Sequence, residues 1–86
     1  MAGNIKRAYT VVFAKQMAEV PAQTLYELRL SLKEIGQACE TVPPASPFWQ
    51  SMAESDSILD VDTWRFNYAI DRVAKRITVK GYKRLT

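Results

Sequence analysis

The C-terminal third of the chain concentrates side chains that bind anions. From Arg65 onward the one acid is Asp71, and the basic residues are Arg65, Arg72, Lys75, Arg76, Lys80, Lys83 and Arg84. The chain contains no histidine, so acid–base or phosphate chemistry would depend on Lys, Arg, Tyr or a carboxylate. Because crowded like charges are destabilising unless an anion neutralises them, this distribution predicts a cationic working surface.

A carboxylate-rich segment precedes this basic region. It has no basic residue and contains Glu54, Asp56, Asp60 and Asp62. Paired carboxylates could bind a divalent cation or serve as acid and base, but no glycine-containing metal loop surrounds them, and a charged edge strand explains them equally well. We therefore predict no metal ion and no cofactor. A further interpretation is that this acidic strip contacts the basic face of a partner or of a second copy in a homodimer.

Length and composition indicate one globular domain, residues 1–86. Of the 86 residues, 48% are hydrophobic and 24% are charged, with a net charge of +3, which excludes a disordered chain. No stretch has the roughly 20 apolar residues that span a bilayer. The segment Met1 to Arg7 lacks the apolar core of a secretory signal, and Cys39 is the single cysteine. These features predict a cytoplasmic protein without a membrane partner.

Residue patterns predict a strand and a helix in the N-terminal half. Ala8 to Ala14 is rich in β-branched and aromatic residues, which favour a strand. Apolar residues at helical spacing from Ala22 to about Val42 predict a helix that the pair Pro43-Pro44 ends. Gly36 could bend or shorten this helix, and Pro21 either begins it or divides the stretch into two helices. The apolar stripe consists of Leu25, Leu28, Leu32, Ile35, Cys39 and Val42.

Three further strands are predicted after a connector. The connector runs from Pro43 to Ser55, and its Phe48, Trp49 and Met52 are expected to pack back on the core. The strands are predicted at Ser57–Asp62, Thr63–Ala69 and Lys75–Tyr82, with a turn at Asp71–Ala74. The resulting fold class is α+β, with one or two N-terminal helices packed on a small antiparallel sheet in the order β-α-(α)-β-β-β.

Alternation in the last two strands separates an apolar face from a basic face. A two-residue loop at Arg72-Val73 would place Phe66 opposite Val79 and Arg65 opposite Lys80. The outward face would then display Arg65, Arg76, Lys80 and Tyr82 together. Opposed like charges destabilise a sheet unless they are neutralised. A phosphate backbone is therefore the expected ligand of this face, and simple solvated charges are the alternative.

The segment TWRFNYAIDRVAKRITVKGYKRL resembles the C-terminal hairpin of RelE/ParE-type toxins. In that family an aromatic–Arg–apolar–x–Tyr strand ending in Ile-Asp leads to a second apolar strand that closes with glycine and basic residues. Trp64 to Asp71 matches the first part, and Val79 to Arg84 matches the second. The early YTVVFAKQM is similar to the first strand of the family, so the order of elements agrees over nearly the whole chain.

This resemblance implies a toxin with a cognate antitoxin and one of two activities. RelE-type members cleave mRNA on the ribosome, whereas ParE-type members inhibit DNA gyrase. For RNA cleavage, Arg65 would bind the scissile phosphate, and Tyr82 could relay a proton. The later basic residue would be Lys83, with Arg84 as the near alternative. Guanidinium and ammonium groups suit this chemistry because they stabilise the negative charge of the transition state. The predicted nucleic-acid-binding residues around this site are Arg76, Lys80 and Arg84.

The strand before Arg65 departs from the RelE pattern. Relatives that cleave RNA usually carry basic residues there, whereas this chain has Leu59, Asp60, Val61 and Asp62. Each carboxylate would repel RNA by about 1 kcal/mol at a screened surface. Gyrase inhibition, and a non-catalytic module that binds nucleic acid or protein through the same hairpin, therefore stay open beside RNA cleavage.

Overall fold

Two helices and four strands follow one another in the order β-α-α-β-β-β. The computed structural model describes residues 9–86. The elements are β1 (Thr10–Phe13), α1 (Ala22–Cys39), α2 (Pro47–Glu54), β2 (Ser57–Val61), β3 (Trp64–Asp71) and β4 (Arg76–Arg84). The predicted α+β class and element order are confirmed. The predicted start of the first strand at Ala8 lies outside the described residues.

The four strands form one mixed sheet in the order β1-β4-β3-β2. β3 pairs antiparallel with β2 and with β4, as expected for two successive hairpins. β1 pairs with β4 in parallel, so the antiparallel arrangement expected from the sequence covers β2, β3 and β4 only. A parallel pair needs a crossover between its strands, and here the crossover contains both helices and the other two strands.

The core lies between α1 and the helical side of the sheet. Its fully buried side chains come from three elements and are Leu28, Leu32, Phe66, Ile77 and Val79. Burying a side chain of this size contributes about 1.5–3 kcal/mol. The inward orientation predicted for β3 is confirmed, and so is the apolar stripe of α1 as far as Cys39, where the helix ends. Neither helix in the described part of the chain is sufficiently long and apolar to cross a membrane.

Gly36 allows α1 to approach β1 closely. The helix is continuous through Gly36 and ends at Cys39, shortly before the predicted end at Val42. A Cβ atom at position 36 would lie 2.9 Å from Cβ of Tyr9, which is closer than two carbon atoms pack. Glycine fits this position despite its low helix propensity, because a larger residue would push the Tyr9 ring away from the helix.

The predicted connector contains the short helix α2. Pro47 occupies its first turn, and the Ser46 hydroxyl accepts a 3.2 Å hydrogen bond from the backbone N–H of Phe48. These are ordinary helix-start signals. The indole N–H of Trp49 donates a 3.0 Å hydrogen bond to the Pro43 carbonyl, and the Trp49 ring packs against the core. The expectation that Trp49 returns to the core is confirmed, whereas Phe48 stays 37% exposed.

A β-bulge changes the predicted register of the β3–β4 hairpin. The turn covers residues 72–75, with Asp71 opposite Arg76, and its closing contact is a 3.0 Å hydrogen bond from the Ala74 N–H to Asp71. Tyr68 then pairs with Val79, whereas Asn67 pairs with Gly81, so Lys80 is the extra residue. A bulge reverses the facing of the residues beyond it. The turn has four residues rather than the predicted two, and together with the bulge this makes the predicted pairings wrong.

Candidate nucleic-acid interface

Arg65 lies on the sheet face that points away from the core, which we call the open face. Its neighbours Trp64 and Phe66 are buried on the helical side, so alternation directs Arg65 outward. On β4 it lies opposite Lys83 rather than Lys80. Arg65 and Lys83 are therefore neighbours, as predicted, whereas the predicted pairing of Arg65 with Lys80 is wrong.

The guanidinium of Arg65 is held by Asp60, which lies opposite it on β2. Arg65 Nε and Nη2 donate hydrogen bonds of 2.8 and 3.1 Å to the two carboxylate oxygens of Asp60. Hydrogen bonding and the charge of Arg65 lower the pKa of Asp60 from its usual value. The two donors that would bind a phosphate in a forked arrangement already bind a carboxylate.

Lys80 has an acidic partner on the same face. Its ammonium group lies 3.0 Å from an oxygen of Asp56, and the other oxygen of Asp56 accepts a 3.4 Å hydrogen bond from Asn67. The hydrogen bond from Lys80 is the main cause of the lowered pKa of Asp56. The acidic segment therefore contacts the basic residues of its own sheet. This intramolecular pairing was not among the predicted roles of the acidic strip.

Arg76 lies far from the other predicted binding residues. It pairs with Asp71 at the turn end of the hairpin, whereas Arg65 pairs with Lys83 near the opposite end. Arg65 and Asp71 are six positions apart on β3, which corresponds to roughly 20 Å. A single phosphate site therefore does not combine Arg65 with Arg76.

Tyr82 lies on the helical side of the sheet, so its predicted position beside Arg65 is wrong. It is opposite Phe66, and its ring centroid is 5.8 Å from that of Trp64. The physical reason is the extra residue Lys80, which shifts the alternation of β4 by one position. The Tyr82 hydroxyl donates a 2.8 Å hydrogen bond to Glu19. This hydrogen bond raises the pKa of Tyr82 above its usual 10.0, so the phenol stays protonated at neutral pH.

An open cleft lies at the edge of the sheet where β3 begins and β4 ends. Its volume is about 680 Å³, and its lining residues, which define the basic cleft, are Lys15, Glu19, Trp64, Tyr82, Lys83 and Arg84. The Arg84 guanidinium lies 5.6 Å from the Trp64 ring centroid. The Lys15 ammonium lies 5.8 Å from the Tyr82 ring centroid. Cations beside aromatic rings are held by the negative faces of the rings.

The basic cleft combines predicted and unpredicted residues. Tyr82, Lys83 and Arg84 were predicted as site residues, whereas Lys15 and Glu19 were not. Lys15 follows β1, whose pairing extends to a 2.9 Å hydrogen bond from the Ala14 N–H to the Val79 carbonyl. That parallel contact brings Lys15 beside β4. The one signal in the sequence for Lys15 was its position directly after a predicted strand. That position does not show which strand will lie beside it.

Charge in the basic cleft favours an anionic ligand. Its lining contains the cations Lys15, Lys83 and Arg84 and the single carboxylate Glu19. A phosphate group could accept hydrogen bonds from these cations, and such contacts provide most of the affinity of proteins for nucleic acid backbones. Among residues 9–86, no group of three or more acidic or cysteine side chains is arranged to hold a metal ion.

Comparisons with known proteins gave no relative. No family model, no curated protein and no solved structure matches the chain. The fold class therefore rests on the arrangement of helices and strands, and the resemblance to RelE/ParE toxins stays a prediction from the sequence.

Proposed function

We propose that this chain is the toxin component of a type II toxin–antitoxin system of the RelE/ParE kind. In this proposal it acts in the cytoplasm, a cognate antitoxin neutralises it, and its target is either ribosome-bound mRNA or DNA gyrase. The basic cleft is the surface that meets the nucleic acid of either target. The hairpin motif supports the family assignment, and the order of elements is compatible with it.

One observation carries the location of the site. Lys15, Lys83 and Arg84 surround a concave space beside two aromatic rings, and the structure describes no ion pair for any of the three cations. On the open face, by contrast, Arg65 and Lys80 are paired with carboxylates. A polyanion therefore meets cations in the cleft that have no carboxylate partner among residues 9–86, whereas at the open face it must displace an existing partner.

The positions of Arg65 and Tyr82 favour one of the two toxin activities over the other. Cleavage of RNA by Arg65, Lys83 and Tyr82 requires all three at one phosphate, but Arg65 and Tyr82 lie on opposite faces of the sheet. This separation favours gyrase inhibition, which needs no assembled nuclease site. RNA cleavage is the second candidate, because Lys83 and Tyr82 still share the cleft with Glu19, whose carboxylate could accept a proton from a ribose hydroxyl.

A growth assay tests the proposal. Induction of the wild-type chain in bacteria should slow growth, and the cleft variant Lys15→Ala/Arg84→Ala should restore it. The control Arg29→Ala/Lys33→Ala removes the same charge from α1 and should leave the toxicity unchanged. Undiminished growth at high levels of folded wild-type protein would refute the toxin function. Relief by Arg65→Ala alone would instead move the site to the open face.

Two assays in vitro identify the target. Supercoiling by purified gyrase should fall in the presence of the protein if the gyrase activity is correct. Primer extension on mRNA in a translation extract should reveal new 5′ ends if the RNA activity is correct. A protein that binds oligonucleotides but is inactive in both assays would be the non-catalytic binding module. Sedimentation of the purified chain measures whether a homodimer forms.

A further inference from the structure

The carboxylates of the acidic segment occupy the positions at which an anion would bind the open face. Asp60 binds Arg65 through both of its oxygens, at 2.8 and 3.1 Å. This is the two-point geometry with which arginine also binds phosphate. Asp56 bridges Lys80 and Asn67 with one oxygen to each. Both ion pairs lie at the solvent-exposed surface, so they are accessible to a competing polyanion.

The stability of the fold does not require these pairs. An exposed ion pair contributes little to the stability of a fold because water screens it. All four side chains are at least 37% exposed, so none contributes substantially to the core. The pairs do, however, change the charge of the open face. Asp56 and Asp60 offset the charges of Lys80 and Arg65, which leaves Lys83 as the cation opposite Arg65 for which residues 9–86 provide no ion pair.

We propose that Asp56 and Asp60 are specificity-determining residues that keep polyanions off the open face and direct them to the basic cleft. A nucleic acid that approached the open face would have to displace both carboxylates and then remain beside them. Each displaced carboxylate would repel the adjacent phosphate. Binding in the cleft requires no such displacement, so the phosphate backbone of the nucleic acid binds there. This inference rests on the proposed function for the role of the cleft, whereas the masking of the open face is tested separately.

Binding of single-stranded DNA provides the measurement. The probe is a fluorescently labelled strand of about 12 nucleotides, which lacks the ribose hydroxyl and so cannot be cleaved by a 2′-hydroxyl attack. Fluorescence anisotropy gives the affinity between about 50 and 200 mM salt, and the slope against salt reports the phosphates bound. Circular dichroism confirms that each variant is folded.

The variant Asp56→Asn/Asp60→Asn should bind the probe roughly tenfold more tightly than the wild type, because two neutralised cations become available. Its salt slope should rise by about 0.7 for each additional phosphate. Adding Arg65→Gln/Lys80→Gln to this variant should abolish the gain. The charge-matched control Glu27→Gln/Glu34→Gln changes the net charge equally but lies on α1, on the helical side of the sheet, and should bind like the wild type.

Two results would overturn the inference. One is an equal gain in the control, which would mean that only net charge matters. The other is a gain that survives removal of Arg65 and Lys80. The cleft variant Lys15→Gln/Arg84→Gln tests the proposed function independently. If this variant binds the probe with the same affinity as the wild type, the cleft is rejected as the nucleic-acid site. The open-face variants would still decide whether Asp56 and Asp60 mask Arg65 and Lys80.

Discussion

The hydroxyl of Tyr82 donates a 2.8 Å hydrogen bond to the carboxylate of Glu19, which joins the last strand to the segment between β1 and α1. The contact exists because the bulge at Lys80 directs Tyr82 to the helical side of the sheet. It gives Tyr82 a role different from the proton relay implied by the family resemblance. The phenol is a hydrogen-bond donor that positions Glu19 at the wall of the basic cleft.

This hydrogen bond predicts a change in the titration of Tyr82. Its pKa is raised mainly by the hydrogen bond to Glu19, with smaller contributions from desolvation and the charge of Glu19. The hydrogen bond therefore contributes fully to the stability of the folded protein below the usual tyrosine pKa of 10.0, and this contribution is lost as the pH rises through the raised pKa. Glu19→Gln should lower the pKa of Tyr82. The absorbance of tyrosinate measures this pKa, and the variant Tyr82→Phe shows which part of the signal comes from Tyr82. Identical titration curves for Glu19→Gln and the wild type would contradict the prediction.

The two open-face carboxylates should titrate independently. The pKa values of Asp56 and Asp60 are lowered chiefly by hydrogen bonds from Lys80 and Arg65, respectively. Their stabilisation is present above the usual aspartate pKa and is lost as the pH falls through the lowered values. Arg65→Gln should raise the pKa of Asp60 and leave that of Asp56 unchanged. Carboxyl carbon NMR shifts measure both values, and a parallel change in the two would show that the pairs are coupled.

Replacement of Gly36 by alanine should destabilise the protein. Alanine favours a helix by about 1 kcal/mol over glycine, but its Cβ would lie 2.9 Å from Cβ of Tyr9. Overpacking of this kind costs about 1–3 kcal/mol, so we expect a net loss of roughly 1 kcal/mol in the free energy of unfolding. Urea denaturation measures it. The exposed position Ala38 provides the reverse change, Ala38→Gly, as a control for propensity alone; stabilisation by Gly36→Ala would show that Tyr9 yields without cost.

Asp62 should be sensitive to the type of replacement. It has a φ of 55° in the turn between β2 and β3, and its carboxylate accepts a 3.0 Å hydrogen bond from the buried hydroxyl of Thr24. Alanine strains this backbone conformation and leaves the hydroxyl unpaired, which should cost about 2–3 kcal/mol. Asparagine tolerates the conformation and retains an acceptor, so its cost should be under about 1 kcal/mol. Urea denaturation should therefore rank the two variants, and equal losses would refute this role.

Local patterns were sufficient for most of the elements. The leucine stripe predicted α1, and alternation predicted the inward residues Trp64, Phe66 and Tyr68, because both signals depend on neighbours within a few residues. The predicted order allowed a second helix, but its position within the connector was not predicted, although Ser46 and Pro47 form a recognisable start. Eight residues in the observed helix provide too few turns for an apolar period to stand out.

The sequence by itself determined the α+β class, the apolar face of the hairpin, the absence of histidine chemistry and the concentration of cations near the end of the chain. Only the tertiary structure decided which cations meet. The bulge at Lys80 places Tyr82 beside Trp64, the parallel pairing of β1 brings Lys15 to β4, and the β2–β3 register sets Asp60 against Arg65. The physical reason is that composition and alternation are local properties, whereas a register is selected by all contacts of the sheet together.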